Sequence, residues 1–169
     1  MDPQAQFEQL YRAHADRVHA YALRRTTPSA ADDVVAEVFL VVWRRLHRVP
    51  EEPLPWLFGV ARRVLANRRR TESRAAALHE RLADPGYRAE PSPVSAEVDD
   101  RVQRALAGLG ERDRELLLLV AWEGLRVNEA AEALGVRSGT LAVRLHRARQ
   151  RLARALADED VEIELEVSR

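Results

Sequence analysis

Residues 128–145 read NEAAEALGVRSGTLAVRL, and their pattern is the most informative about the fold of the second half of the chain. Its first part is typical of a short helix that ends at Gly135, because glycine readily takes the left-handed conformation of a helix C-terminus. Ser138 is then placed to cap a second helix. The small side chain of Ala131 allows the two helices to approach closely, and Leu141 helps to fill the angle between them. The pattern predicts a helix-turn-helix, with an ordinary helical hairpin as the alternative.

The second helix of this motif continues into a segment that is rich in arginine. Residues 137–154 contain six arginines and no acidic residue. At the helical period of about 3.6 residues, one side of the segment is apolar and suits a core, whereas a neighbouring stripe is basic: Arg144, Arg147, Arg151 and Arg154. No carboxylate lies in that stripe to relieve the repulsion, so the partner of these arginines is expected outside the helix. A solvated face, arginine-rich because the chain contains no lysine, is the alternative.

DNA is the partner that these two features together favour. In a helix-turn-helix, the second helix enters the major groove with its N-terminal residues toward the bases, and basic residues further along meet phosphates. The zero net charge argues against a uniformly basic nucleic-acid binder, but it is the sum of unequal parts. Residues 62–74 contain six arginines and one acid, whereas residues 158–166 contain six acids and no base. Basic surfaces are therefore expected in two separate places.

Composition excludes several classes of protein. The longest apolar runs, such as residues 38–43 and 116–122, are far shorter than the ~20 residues that a membrane-spanning helix needs. The N-terminal sequence MDPQAQFEQL lacks an export signal, so we expect a cytoplasmic protein with no membrane segment of its own. Zero cysteine excludes disulfides, thiol catalysis and thiolate metal sites. We expect no cofactor, metal site or catalytic site, because the sequence has neither a phosphate-cradling glycine loop nor paired metal ligands.

Nearly every segment shows helical periodicity, so we predict an all-α fold of two small helical domains joined by a flexible linker. The first domain is expected to contain three helices, which run from about 3 to 25, from a start box at Ser29 and Asp32 to near 49, and from about 55 toward 82. Turn-forming residues then replace the periodic pattern. The expected boundaries are 1–82 for the first domain, 83–96 for the linker, 97–157 for the second domain and 158–169 for an acidic tail.

Two sets of segments resemble one protein family. LAGLGERDRELLLLVAWEGL at 106–125, followed by the helix-turn-helix, resembles region 4 of the extracytoplasmic-function (ECF) sigma factors, the small two-domain subunits that direct bacterial RNA polymerase to promoters. Three N-terminal segments are similar to region 2 of the same family: FEQLYRAHADRVHAYALRR at 7–25, DDVVAEVFLVVWRRL at 32–46 and PWLFGVARRVLANRRR at 55–70. These segments occur in the family's order and cover nearly everything except linker and tail.

The resemblance implies three binding surfaces. In the family, the acidic second helix of region 2 binds the polymerase clamp, and the matching residues here are Asp32, Asp33, Glu37 and Arg44. The third helix and the loop before it meet and melt the −10 element, and their matching residues are Arg48, Arg62, Arg63, Asn67, Arg68, Arg69 and Arg70. The recognition helix of region 4 reads the −35 element, for which the candidates are Arg137, Ser138, Thr140, Val143, Arg144, His146, Arg147 and Arg151.

Several residues depart from the usual pattern of the family. Arg63 and Asn67 replace a common Asn and Asp in the −10 helix, which leaves the base preference open. Ala142 and Val143 replace a frequent basic residue and serine in the recognition helix, which leaves a surface suited to thymine methyl groups. Arg126 replaces a serine that would cap the first helix of the helix-turn-helix.

Three aromatic side chains, Trp43, Trp56 and Phe58, lie in the part that resembles region 2. They could offer stacking platforms for unpaired bases. Aromatic residues at helical spacing more often belong to a core, however, and we expect a core position for these three.

The acidic tail has a pattern of its own. From Val161 to Val167 it alternates acidic and aliphatic residues, a period of two that is typical of a strand and conflicts with the helix before it. A frayed, solvated end is the alternative. The tail could pair with a partner, or it could fold back over an arginine stripe and weaken DNA binding. Removal of the chain from Asp158 onward tests the second hypothesis.

The resemblance predicts an alternative sigma factor that binds core polymerase and directs promoter-specific initiation, while the polymerase carries out all chemistry. Core RNA polymerase, promoter DNA and an anti-sigma factor are the expected partners, the last because the family commonly has one. Two other functions stay open. A stand-alone helix-turn-helix regulator is one, because residues 124–141 also resemble regulators outside the family. A sigma mimic that sequesters an anti-sigma factor is the other.

Overall fold

The computed structural model describes residues 2–80 and 100–167, with side chains described for 2–74 and 100–158. Every regular element in these ranges is helical: seven α-helices and one 3₁₀ turn. The chain divides into two compact units, Met1–Val94 and Ser95–Arg169. The predicted all-α architecture with two helical domains is thus confirmed. The predicted linker at 83–96 lies outside the described residues.

The first unit is built from three helices. α1 (Pro3–Leu23), α2 (Pro28–Arg44) and α3 (Pro53–Glu80) each pack against the other two. The rings of Tyr21 and Phe58 stack in the centre, with 4.9 Å between their centroids. The other large side chains that are fully buried in this unit are aliphatic, namely Val18, Val34, Val38, Val42 and Leu57.

Prolines begin α2 and α3. Pro28 and Pro53 are the first residues of these helices, where a fixed φ is suitable and a backbone N–H is not needed. The N-cap of α2 is Thr27, two residues before the start box predicted at Ser29, and α3 begins two residues before the predicted start at about 55. α2 ends at Arg44 rather than near 49, and the 3₁₀ turn Leu46–Arg48 follows it.

The second unit has four helices arranged around the last one. α4 (Asp100–Gly108), α5 (Glu111–Ala121) and α6 (Val127–Leu134) all pack on α7 (Ser138–Val167). The predicted apolar side of α7 faces these three helices. The interior between them is filled mainly by leucines. The fully buried side chains include Leu106, Leu116, Leu119, Leu141 and Ala148.

The turn between α6 and α7 has the predicted geometry. Gly135 takes the left-handed conformation, with φ 67° and ψ 36°. The N–H of Gly135 donates to the carbonyl of Glu132 at 3.0 Å, and the N–H of Val136 donates to the carbonyl of Ala131 at 2.9 Å. These two bonds form a Schellman motif, which satisfies the last carbonyls of α6. α7 begins at Ser138 itself, so the N-cap position falls one residue earlier, on Arg137, whose carbonyl accepts from the N–H of Leu141 at 3.0 Å.

Arg114 of α5 fastens the C-terminal end of α4. Its guanidinium donates to the carbonyl oxygens of Leu106 at 2.7 Å, Ala107 at 2.6 Å and Leu109 at 3.0 Å. Carbonyls at the end of a helix have no partner inside the helix, and a cation there also complements the helix dipole. The planar fork of arginine therefore closes the corner between these two helices.

The acidic tail continues α7 as a helix to Val167, so the strand predicted from its alternating pattern is wrong. No glycine or proline occurs between 140 and 167 to stop the helix. Extending an existing helix needs no new nucleus, and each added residue gains a hydrogen bond. Because the helix does not turn back, the segment 158–167 lies beyond the arginines of α7 and does not cover them.

Candidate binding surfaces

The first turns of α7 present a mostly exposed surface. Among the predicted −35 residues, the exposed ones are Arg137, Ser138, Thr140, Val143, His146 and Arg147, and Arg144 is half-buried. Val143 is 54% exposed, which is high for a large apolar side chain. The opposite side of the helix is anchored by buried leucine and alanine. The turn at Gly135 and this anchoring fix the start of α7 relative to α6.

Arg151 differs from the other predicted −35 residues because it pairs within its own unit. Its guanidinium forms an ion pair with the carboxylate of Asp113 on α5. Asp113 is largely covered, with 14% of its side chain exposed, whereas Arg151 is exposed over more than half of its own. This contact holds α7 against α5. The sequence carries no signal for this contact, since the two residues are far apart in the chain.

A second ion pair stabilises the start of α6. The carboxylate of Glu129 accepts hydrogen bonds from the backbone N–H of Arg126 at 2.7 Å and from its guanidinium Nε at 2.9 Å. These bonds, the guanidinium first, hold the pKa of Glu129 below its ordinary value. A serine at position 126, which the family pattern would place there, could cap the helix with its hydroxyl oxygen. The arginine side chain has no acceptor and cannot do so. Glu129 supplies the compensating contact from inside the first turn.

The predicted −10 residues of α3 lie on different sides of the helix. Arg63, Asn67 and Arg70 are exposed and fall within about 60° of one another at the helical 100° per residue. Arg69 is also exposed, and its guanidinium donates to the carbonyl of Arg25 at 3.4 Å. Two further predicted residues, Arg62 and Arg68, are half-buried, and Arg48 is exposed on the 3₁₀ turn.

The predicted polymerase-binding residues lie along α2. Asp32, Asp33 and Arg44 are exposed, and Glu37 is half-buried. Nε of Arg68 on α3 donates to Oε1 of Glu37 at 2.7 Å, and its Nη2 donates to Oδ2 of Asp33 at 3.0 Å. The hydrogen bond with Glu37 is the main reason why the pKa of Arg68 is raised above its usual range. One predicted DNA-binding residue thus contacts two predicted polymerase-binding residues.

Asp32 also has a neighbour in the same unit. Nε2 of His19 on α1 lies 3.2 Å from Oδ1 of Asp32. The acidic end of α2 is thereby connected to both of the helices that pack against it. None of these contacts was predicted, because the periodicity of one helix carries no information about charges on another.

An apolar patch on α1 and α2 accompanies the acidic residues. Tyr11, Leu40 and Trp43 are large apolar side chains that are each about half exposed. The ring of Trp43 packs edge-on against Phe7, with centroids 5.3 Å apart. Because about half of the side chain is exposed, Trp43 lies at the edge of the unit and not in its core. The core position expected for Phe58 is confirmed, whereas the one expected for Trp43 is wrong. The spacing of three residues between Leu40 and Trp43 was the available signal for a second apolar stripe.

Comparisons with known proteins match both units. The Sigma-70 region 2 family matches residues 10–75, and the Sigma-70 region 4 family matches residues 99–152. The chain is 31% identical over 144 residues to the ECF RNA polymerase sigma factor SigL of Mycobacterium tuberculosis, and the match covers 81% of each chain. The chain belongs to the ECF sigma factors. The resemblance inferred from the sequence is confirmed.

Two further proteins are similar to this ECF sigma factor. The ECF sigma factor SigE of Mycolicibacterium smegmatis is 33% identical over 164 residues, but the match covers 92% of this chain and only 63% of SigE. The solved structure of CnrH in complex with the cytosolic domain of CnrY aligns with a TM-score of 0.61 and 29% identity. That alignment covers 93% of this chain and 90% of CnrH.

The family matches assign the first unit of the sigma factor to region 2 and the second unit to region 4. The region 2 match spans α2 and most of α1 and α3, and the region 4 match ends within α7 at residue 152. Across the part of the chain that the structure describes, no helix is long and apolar enough to cross a membrane. Nor do the described His, Asp and Glu side chains form a group of three or more that could hold a metal ion.

Proposed function

We propose that this ECF sigma factor binds core RNA polymerase through the acidic face of α2 and directs initiation through the exposed faces of α3 and α7. Its membership of the family carries the proposal, because both regions are matched in the family's order. The sigma factor acts by binding, and the polymerase carries out the chemistry. Its work takes place in the cytoplasm, where bacterial polymerase and DNA are found.

The surface of α2 that docks on core polymerase consists of Asp32, Asp33, Glu37 and Arg44. The three carboxylates lie on α2, which packs against both α1 and α3, so the charges hold a defined spacing. Exposed charges of this kind steer a basic partner and set the register of docking. Binding to core is expected to weaken as salt is raised, because exposed charges are screened within about 10 Å at 0.1 M salt.

The −10 element is met by α3 and by the 3₁₀ turn before it. The exposed group of Arg63, Asn67 and Arg70 offers two cations for backbone phosphates and one amide that can read a base edge. Arg48, Arg62 and Arg69 extend the basic track on its flanks. Such a track binds single strands and duplex alike, which suits an element that is melted during initiation.

The −35 element is read by the first turns of α7. Ser138, Thr140 and Val143 project from the end of the helix that enters the groove, and they combine hydroxyl groups with an apolar side chain. Arg137, Arg144, His146 and Arg147 supply contacts to phosphates or guanine. Arg151 contributes mainly by holding α7 in place through Asp113.

Reconstitution with core polymerase tests this function. The sigma factor is mixed with core enzyme from its own bacterium and supplied with a library of genomic promoter fragments, and transcript starts are sequenced. Starts that depend on the sigma factor are the expected result. Binding to DNA without core would instead indicate a stand-alone regulator, and failure of both would indicate a sigma mimic.

An anti-sigma factor is a further proposed partner. CnrH, which shares 29% identity with this chain, was solved with the cytosolic domain of CnrY. A partner that covers region 2 or region 4 would block polymerase or promoter binding. Addition of a candidate partner protein to the reconstituted reaction is expected to abolish the specific starts.

A further inference from the structure

We infer that Arg68 is a positioning residue for the acidic face of α2 and not a DNA ligand. The inference rests on the proposed function, since it assigns Arg68 to the polymerase-docking surface. It also separates Arg68 from the arginines on either side of it in the sequence.

The geometry places one guanidinium between two carboxylates. Nε of Arg68 donates to Glu37 at 2.7 Å, and Nη2 donates to Asp33 at 3.0 Å. Asp33 and Glu37 are four residues apart on α2, so they lie one turn apart on the same side of the helix. The rigid, planar fork of arginine can span both carboxylates, whereas the single ammonium of lysine would act as a point charge.

Exposure separates Arg68 from the basic face of α3. The side chain of Arg68 is 28% exposed, while those of Glu37 and Asp33 are 44% and 64% exposed. At 100° per residue, Arg68 points about 140° away from Arg63 and about 160° away from Arg70. A phosphate bound by the exposed face of α3 is therefore out of reach of Arg68. The carboxylates, in contrast, remain accessible from outside.

Arg68 leaves the two carboxylates free to bind a partner. One oxygen of each carboxylate accepts a hydrogen bond from Arg68, and a carboxylate has two oxygens with roughly four acceptor sites. A basic group of the polymerase can therefore add to the arrangement without displacing Arg68. Ordering a flexible side chain during docking opposes binding, and Arg68 has already ordered both acids.

The sign of one measurement separates this role from a simple charge effect. If Arg68 only reduces the negative charge of the surface, its neutralisation strengthens the attraction to a basic partner and raises the affinity for core. If Arg68 positions the acids, its neutralisation lowers that affinity. Arg68→Lys sharpens the comparison because it keeps the charge and loses the fork.

The experiment measures the affinity of the full-length sigma factor for core polymerase by fluorescence anisotropy of an N-terminal label. Arg68→Gln and Arg68→Lys are each expected to lower the affinity about three- to tenfold, the effect of releasing one or two ordered side chains. Arg12→Gln is the matched control, because Arg12 forms an exposed ion pair with Glu8 on α1. It is expected to leave the affinity unchanged.

A second measurement tests the exclusion of Arg68 from DNA. Holoenzyme is formed at saturating core, and its affinity for a promoter fragment selected in the transcription assay is measured across salt concentrations. The plot of log affinity against log salt has a negative slope, and loss of one phosphate contact makes this slope less steep by about one. Arg70→Gln is expected to make the slope less steep in this way, and Arg68→Gln is expected to leave it unchanged. A merely structural loosening of the unit would instead weaken promoter binding as well.

The acids themselves complete the test. The double variant Asp33→Asn, Glu37→Gln is expected to lower the affinity for core at least tenfold, and adding Arg68→Gln to it is expected to have no further effect. Unchanged or higher affinity of both Arg68 variants, or a reduced salt slope, overturns the inference while the proposed docking surface stands. Unchanged affinity of the double variant overturns the docking surface and the inference together.

Discussion

Arg114 connects α5 to the end of α4 through a single side chain. Three carbonyls at and just beyond the end of α4 accept from its guanidinium, and the same residue belongs to the helix that follows. Charged donors make stronger hydrogen bonds than neutral ones. Its position in the sequence, between two other charged residues, gives no sign of this role, because a solvated arginine would look the same.

Arg114→Ala is expected to lower the free energy of unfolding of the second unit by about 1–3 kcal/mol, since three carbonyls lose a charged donor. Arg114→Lys is expected to recover less than half of the loss, because an ammonium cannot span the three oxygens. Hydrogen exchange of the backbone amides measures this unit by unit. Protection in α4 and α5 should fall while protection in α1–α3 stays the same. Equal protection in wild type and Arg114→Ala would contradict the assigned role.

Glu129 makes the stability of the second unit depend on pH. Its folded carboxyl has a pKa below the ordinary 4.5, because the guanidinium and the backbone N–H of Arg126 favour the charged form. The stabilisation is therefore complete above pH 4.5 and is lost as the pH falls through the lower folded value. Glu129→Gln is expected to be less stable than wild type at neutral pH, and the difference is expected to vanish in acid. Urea unfolding at a series of pH values checks this, with Glu132→Gln on the same helix as the control.

At the scale of the elements, the turn between α6 and α7 depends on the left-handed conformation of Gly135. A Cβ at this position would meet no atom within 4 Å, so the cost of a side chain is conformational and not steric crowding by neighbours. Gly135→Ala is therefore expected to destabilise the second unit by about 1–2 kcal/mol. Gly139→Ala is the matched control because a Cβ there also meets no atom within 4 Å, but its φ is not positive. That control should be neutral or stabilising, as measured by thermal melting.

The elements also show what the sequence could and could not predict. The helices and the turn at Gly135 followed from local rules, because periodicity and glycine chemistry act over a few residues. The strand predicted for 161–167 failed because the alternating pattern competed with a helix that had already formed. The partners of Arg68 and Arg151 could not be predicted, since they lie on other helices, 31 to 38 residues away in the chain. The exact residues that bind polymerase and promoter stay predictions.

At the scale of the whole molecule, charge is distributed very unevenly. Removing residues 158–169 takes away six acids and one arginine, so the net charge of the chain rises from zero to +5. Along α7, residue 158 lies about 16 Å beyond Arg147, given a rise of about 1.5 Å per residue. This distance exceeds the screening length of about 8 Å at physiological salt.

Truncation before Asp158 is therefore expected to leave the promoter affinity of the holoenzyme unchanged at physiological salt. At 0.01 M salt the screening length grows to about 30 Å, and the truncated chain should bind more tightly than the full chain. Filter binding or anisotropy at the two salt concentrations makes the comparison. A large gain in affinity at physiological salt would support an inhibitory contact made by the tail.

Because α7 is uninterrupted, a small tilt at its N-terminal end displaces residues far along the helix. Its 30 residues form a rod about 45 Å long. A tilt of about 10° at the recognition end would sweep the far end through about 8 Å over that length. The chain has no cysteine, so Asp158→Cys would provide a unique attachment point for a distance probe about 30 Å along the helix. A tilt of about 10° would move that probe by about 5 Å, so a rotation of the recognition helix on promoter DNA would be read out as a change in distance.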